Sequence, residues 1–192
     1  SLWEVVDAAK TKPYGFQAFY PGPGLGGHCI PLDPYYLTWK AREYGFHTSM
    51  IEASMMINDK MPEYCVDRAA KVLNRVKKAL NGSKVLVLGV AYKADIDDYR
   101  ESPAIDVIEI LQREGANVDF FDPYIPKFRA HGKEYVGIAD ISPEVISSYD
   151  IVFVAAAHTN VDYDMIEQNA QAIFDSKNAM KDVKNREKIE VL

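Results

Sequence analysis

One cysteine in this chain stands among residues that could make it react. The stretch YPGPGLGGHCIPLDPYYL, residues 20–37, sets Cys29 next to His28 and four residues before Asp33. A thiolate is a strong nucleophile once its proton is lost. A carboxylate nearby can orient a water molecule or receive its proton. Gly22, Gly24, Gly26 and Gly27 leave the backbone free to approach a ligand, and Pro21, Pro23 and Pro31 stiffen it. Amides in such a loop can point at hydroxyls or phosphates. The other reading is a structural turn over a small apolar cysteine, with Asp33 as the N-cap of the next helix. A Cys–His nucleophile and base pair is the weaker assignment, because neighbouring side chains in extended backbone point apart.

The whole chain narrows the choice. It has 192 residues, 48% hydrophobic and 26% charged, the balance of a soluble globular protein of one large or two small domains. The net charge of −6 argues against a general affinity for nucleic acid or membrane surfaces. No run of about 18 apolar residues predicts a membrane span, and no signal peptide is recognised. Cys29 and Cys65 are the two cysteines and form no C-x-x-C. A disulfide framework is not expected, and a reduced cytoplasmic setting is. Adjacent His28 and Cys29 lack a second pair at ligand spacing, so no metal site is expected.

The elements that must hold this loop follow from periodicity and caps. Residues 2–10 read as a helix that begins without a cap, which suggests a piece of something longer. Asp33 and Pro34 open a helix to about residue 44, closed by Gly45. A long helical region runs from Thr48 to Leu80, broken or kinked at Pro62 and closed by Asn81–Gly82. Its methionines, Met50 and Met55 among them, read as core.

From residue 84 the pattern changes. KVLVLGVAY (84–92) is a strand buried on both faces. SPAIDVIEILQREG (102–115) is an amphipathic helix capped by Ser102. Strands follow at 117–123, 150–158 and 171–176, with a helix at 162–170. This alternation predicts an α/β fold: a helical segment over 1–80, then a small Rossmann-like, doubly wound parallel sheet over 84–180. Residues 181–192 read as a charged tail that frays.

A dinucleotide site would need G-x-G-x-x-G after the first strand. Only Gly89 is present, followed by a polar loop. The position still suits a ligand, because open α/β sheets bind at the carboxyl ends of their strands. Lys93 and Arg100 would be the anion contacts, beside the helix start at Ser102–Pro103. They could equally be surface charges among Asp95, Asp97, Asp98 and Glu101.

Five segments in order, FYPGPGLGGHCIPLDPYYL, GVAYKADIDDYRESPA, FFDPYIP, AAAHTNVDY and DSKNAM, resemble the UDP-glucose/GDP-mannose dehydrogenase family. The form GGHCIPxDPYYL is most similar to its bacterial branch acting on UDP-N-acetylglucosamine or UDP-N-acetylmannosamine. The resemblance implies a C-terminal half, with an N-terminal Rossmann domain for NAD lying upstream. It implies oxidation of the sugar C6 hydroxymethyl to a carboxylate, with two hydrides passing to NAD. Cys29 would hold the intermediate as a thiohemiacetal and then a thioester, and Asp33 would orient the hydrolytic water.

Tyr20 and the glycines Gly22, Gly24, Gly26 and Gly27 would line the substrate. Lys93 would contact the nucleotide sugar, Tyr92 would cover the uracil or ribose, and Arg100 belongs to the same motif or to a salt bridge within it. Lys177 stands where relatives commonly carry arginine, so charge is kept and the planar fork is lost. Cys65 reads as a helix-core thiol. A homodimer or higher oligomer built on residues 50–61 and a role in surface polysaccharide synthesis are further implications. The competing expectation is a nucleotide-sugar-binding module without turnover. A thiol hydrolase is disfavoured, since the chain has no G-x-S/C-x-G elbow.

Overall fold

The computed structural model describes residues 1–192. Its central feature is a five-stranded parallel sheet in the order β2-β1-β5-β6-β7. The elements in chain order begin with four helices, α1 (Leu2–Ala9), α2 (Asp33–Glu43), α3 (Ser49–Asp59) and α4 (Met61–Arg75). Then come β1 (Lys84–Leu88), α5 (Pro103–Arg113), β2 (Asn117–Phe121), β3 (Lys127–Ala130) and β4 (Lys133–Val136). The chain closes with α6 (Pro143–Ser147), β5 (Ile151–Val154), α7 (Tyr163–Asn169), β6 (Ile173–Asp175) and β7 (Ile189–Val191).

The continuous apolar run of β1 is explained by helices on both faces of the sheet. Val85 and Val87 point to one side, where they meet Cys65, Ala69 and Leu73 of α4 and Val107, Ile108 and Leu111 of α5. Leu86 and Leu88 point to the other side, against Ile146 of α6, Ile166 of α7 and Met180. This is the two-residue period of a strand, apolar on both phases. Each such side chain contributes about 1.5–3 kcal/mol by leaving water. Helix α4 packs on α5 and on β5 and β6, so the α/β layer draws in a helix from the segment before residue 80.

Local caps explain several boundaries. Ser102 accepts a hydrogen bond from the Ala104 amide, and Pro103 opens α5. Asp162 does the same for α7 through the Met165 amide. Gly45, at φ +69, ends α2 in the left-handed conformation a side chain resists.

The helical region is broken beside Pro62, as expected: the backbone turns at Lys60 (ψ −9), and Pro62 takes the first turn of a new helix, where no amide is needed. Other expectations are corrected. Helix α4 ends at Arg75 and not at Asn81–Gly82; Lys77 at φ +61 turns the chain away. The cap of α2 is Leu32, and Asp33 is its first helical residue. Helix α1 carries Ser1 at its N-cap position. Met50 is 86% and Met56 56% exposed, so the methionine face is surface in this chain.

The charged tail is a strand rather than a frayed end. β7 pairs in parallel with β6. Glu190 pairs with Arg68 and with Arg75, the latter at 2.8 Å. Trp3 Nε1 donates to the Leu192 carbonyl at 2.7 Å, tying the first helix to the last residue. The β3–β4 hairpin has no counterpart among the expected elements; its signal is the His131–Gly132 turn, both residues at positive φ. Helix α6, behind its Ser142 cap, is short enough to escape a periodicity reading. No helix is long and apolar enough to cross a membrane.

Candidate functional site

The glycine-proline loop docks on the loop that follows β1. The Gly27 amide donates to the Arg100 carbonyl at 3.0 Å. A Cβ on Gly26 would lie 2.6 Å from Tyr92 Cβ and 2.7 Å from the Glu101 carbonyl. A Cβ on Gly27 would meet the Tyr92 ring at 3.0 Å, and the residue is at φ +95. Gly24 lies against Pro103, and the Leu25 amide donates to Asn58 Oδ1 at 3.0 Å. Glycine is used here because backbone and a tyrosine ring must touch.

A second contact comes from the loop after β6. Lys177 follows β6, and its Nζ would lie 2.6 Å from a Cβ built on Gly22. No carboxylate pairs with this lysine. Burial pushes its ammonium below the ordinary lysine value, opposed only by the nearby Cys65. The turn that presents it is held by Asp175, a buried carboxylate that accepts from the amides of Lys177, Ala179 and Met180. Burial nevertheless pushes the Asp175 carboxyl above its usual range.

The remaining residues divide. Lys93 is exposed and makes no ion pair. Tyr92 is half-buried, and its amide donates to the Asp98 carbonyl at 3.1 Å. The Arg100 side chain is taken by Asp98, with Nη2 2.6 Å from Oδ2, and it holds the Asp98 carboxyl below the usual range. Tyr20 turns to α1: its ring stacks on Trp3, and its hydroxyl bonds Asp7 and Lys10 at 2.8 Å each.

Cys29 is exposed, and no side chain hydrogen-bonds its sulfur. Its carbonyl accepts from the amides of Leu32 (3.0 Å) and Asp33 (2.8 Å), so the thiol sits at the tight turn leading into α2. The Asp33 carboxylate is exposed at the first turn of that helix. A cleft of about 1000 Å³ opens beside the loop, lined by Gly27, His28, Arg100, Asp106, Glu109 and Arg129 among others. His28 lines it and Cys29 does not, as expected of neighbours that point apart. Cys65 is fully buried, and burial pushes its thiol up to about 12. No group of three or more His, Cys, Asp or Glu side chains is arranged to hold a metal.

The β1–α5 turn does not fit a dinucleotide. Its one glycine, Gly89, is needed for packing: a Cβ there would lie 2.5 Å from Ala156 Cβ. The loop beyond Gly89 carries none of the further glycines of a G-x-G-x-x-G turn, so no second glycine lets the backbone approach a dinucleotide there. Sequence reasoning missed Asp122, Asp175 and His158, the buried polar groups that hold these loops. Asp122 and His158 lie in segments FFDPYIP and AAAHTNVDY; a polar residue directly after an apolar strand was the available signal.

Two family models together match most of the chain. The UDP-glucose/GDP-mannose dehydrogenase family, UDP binding domain, matches residues 86–182, and the central domain of the same family matches residues 1–60. A UDP-N-acetyl-D-glucosamine 6-dehydrogenase of Pseudomonas aeruginosa is 33% identical over 180 residues, covering 94% of this chain and 42% of the relative. One from Salmonella typhi is 38% identical over 157 residues, covering 81% and 36%. The structure of a UDP-D-ManNAc dehydrogenase from Pyrococcus horikoshii superposes with a TM-score of 0.82 at 27% identity, covering 99% of this chain and 43% of that one. The chain thus spans about two-fifths of the length of these proteins.

Proposed function

The chain belongs to the UDP-glucose/GDP-mannose dehydrogenase family, and from that premise we propose that it carries the substrate site and the nucleophilic thiol of a UDP-sugar 6-dehydrogenase. The substrate proposed is a UDP-N-acetylhexosamine, and the chain acts as the C-terminal part of the enzyme. The observation that carries this reading is the docking of Gly26 and Gly27 on Tyr92 and Arg100, which joins the cysteine loop to the loop after β1. Two lysines without ion pairs, Lys93 and Lys177, supply positive charge for a diphosphate in a chain of net charge −6. Tyr92 offers a ring face for the uracil or ribose. The glycine loop, with Gly22 and Gly24, faces the sugar. Tyr20 braces the loop against α1, and Arg100 braces it through Asp98.

Oxidation of a primary alcohol to a carboxylate removes two hydrides. Their acceptor is NAD held by residues outside this chain, since the β1–α5 turn offers it no cradle. The chain's own share is the covalent step. The Cys29 thiolate adds to the C6 aldehyde carbon as the C=O π bond opens, and the oxygen takes up a proton from solvent, forming a thiohemiacetal. Once that carbon is oxidised it is a thioester. Water, oriented by the Asp33 carboxylate, adds to the thioester carbon and gives up a proton to that carboxylate; the C–S bond breaks, the Cys29 thiolate leaves, and the new carboxylic acid releases its proton to solvent.

A second reading keeps the ligand and drops the chemistry: a UDP-sugar-binding module. It is favoured by the missing dinucleotide cradle. The exposed Met50, Met56 and Ile57 are proposed as a homodimer surface. A thiol that must stay reduced suits a cytoplasmic setting.

The test is NADH formation by the polypeptide that joins this chain to an NAD-binding half. UDP-N-acetylglucosamine, UDP-N-acetylmannosamine, UDP-glucose and GDP-mannose are compared, beside Cys29→Ala. Two NADH per sugar, lost in the variant, is the expected result. UDP binding without turnover on any sugar would leave the binding module.

A further inference from the structure

One buried carboxylate gathers the carboxyl ends of the central strands. Asp122, directly after β2, accepts from the amides of Val90 (2.7 Å) and Ala91 (3.0 Å) at Oδ2, and from those of Tyr124 (2.9 Å) and Ile125 (3.1 Å) at Oδ1. His158, after β5, is 1% exposed, and its Nε2 lies 3.1 Å from the same Oδ2. The other ring nitrogen, Nδ1, faces the Asp95 amide at 3.0 Å. A backbone amide can only donate, so Nδ1 must offer a lone pair. The proton therefore sits on Nε2, and the imidazole is neutral with one tautomer fixed.

The residue it holds is an unusual one. Asp95 is at φ +62, a left-handed conformation that costs a residue with a side chain free energy. Two bonds retain it there: its amide to His158, and its Oδ1 to the Thr159 amide at 2.8 Å. Asp95 lies three residues after Tyr92 and two after Lys93. The loop then closes on itself through the Tyr92 amide and the Asp98 carbonyl.

We propose that His158 is a positioning residue for the loop 92–98, its Nδ1 lone pair fixing Asp95 so that Tyr92 and Lys93 are presented to the UDP moiety. The inference rests on the proposed reading of that loop as the UDP contact. Its content is separable from the general worth of a buried histidine, because the two ring nitrogens serve different partners. Nε2 serves the strand ends through Asp122. Nδ1 serves the loop.

Two variants separate them. In His158→Gln the terminal amide can still donate to Asp122, but the acceptor for Asp95 is lost. In His158→Asn the side-chain oxygen stands near the Nδ1 position and can accept from Asp95, while the bond to Asp122 is lost. Binding of UDP to the full chain is measured by calorimetry, with amide hydrogen exchange over residues 92–98 and thermal melting alongside. His158→Gln is expected to weaken UDP binding about tenfold, the scale of one lost hydrogen bond, and to speed exchange over 92–98. His158→Asn is expected to keep UDP affinity close to wild type while melting lower.

UDP affinity that simply follows melting temperature across the two variants would overturn the inference. So would unchanged affinity and exchange in His158→Gln, with the proposed function left standing. A wild-type chain that binds no UDP would overturn the proposed function, and this role with it.

Discussion

The Nζ of Lys177 rests on Gly22, so close that a Cβ on the glycine would fall 2.6 Å from it. The two residues are far apart in sequence and come from different layers of the molecule. The glycine therefore leaves space for a cation that has no carboxylate partner and is held below its ordinary pKa by burial. A buried charge left unpaired is costly. A diphosphate would supply the missing partner.

Lys177→Met is expected to leave the melting temperature unchanged or raise it, because an unpaired cation is removed and the apolar stem is kept. UDP binding should weaken by about 1.5–3 kcal/mol, the worth of a hydrogen bond to a charged group. Calorimetry and a thermal melt on the same preparation check both. A stable variant with full UDP affinity would remove Lys177 from the site.

Alanine at two glycines should separate ligand effects from folding effects. At Gly22 the nearest atom is the end of a flexible lysine, which can swing aside. Gly22→Ala should fold normally and bind UDP less tightly. At Gly26 the new methyl meets Tyr92 Cβ and the Glu101 carbonyl, neither of which can move freely. Gly26→Ala should cost about 1–3 kcal/mol of stability, as overpacking does. Denaturant unfolding of the pair distinguishes them.

Alkylation should sort the two cysteines. Cys29 is exposed, whereas Cys65 is fully buried with its thiol pushed up to about 12. The thiolate is the reactive form. Iodoacetamide at neutral pH should label Cys29 alone, and Cys65 only after denaturation, as read by peptide mass spectrometry. UDP-sugar should slow the labelling of Cys29. Labelling indifferent to the sugar would separate the thiol from the ligand.

Asp122 should shape the acid limb of stability. Burial alone would raise its carboxyl, but the His158 bond and the Tyr124 and Val90 amides outweigh it and hold the group below 3.8. In acid the unfolded chain therefore takes up the proton first. The stability contribution is complete above the unfolded value of 3.8 and is lost as pH falls through the lower folded value. Asp122→Asn should lose about 1.5–3 kcal/mol at pH 7, the worth of a hydrogen bond to a charged group, because the amide cannot accept from all the donors that converge on the carboxylate. Its stability should also fall less steeply than that of the wild type as pH drops below 3.8. Parallel acid limbs in the two proteins would show that Asp122 does not set this dependence.

The strands of the sheet are legible in the residues alone. Val85 to Leu88 and Ile151 to Val154 are apolar on both phases of a two-residue period, a pattern that only cover on both faces satisfies. Ser102 announces its helix, because a cap acts over three residues. The cysteine loop is legible from composition, since glycine and proline act on their own backbone. The end of α4 at Arg75, the exposure of Met50 and the strand at 189–191 are not. Three residues of strand carry almost no periodic signal, and an apolar helix face reads alike whether it is covered or bare.

By itself the sequence determined the local chemistry: which backbone bends, which strands are buried twice, and where a thiol, two lysines and a carboxylate occur. Only the tertiary structure decided their partners. Arg100 is engaged by Asp98, Tyr20 by Trp3, Lys177 by Gly22, and Asp95 by His158. The last three pairings cross 17 to more than 150 positions of chain. No propensity acting over a few residues can specify such contacts; they exist because the sheet and its helices bring distant backbone within a few ångströms.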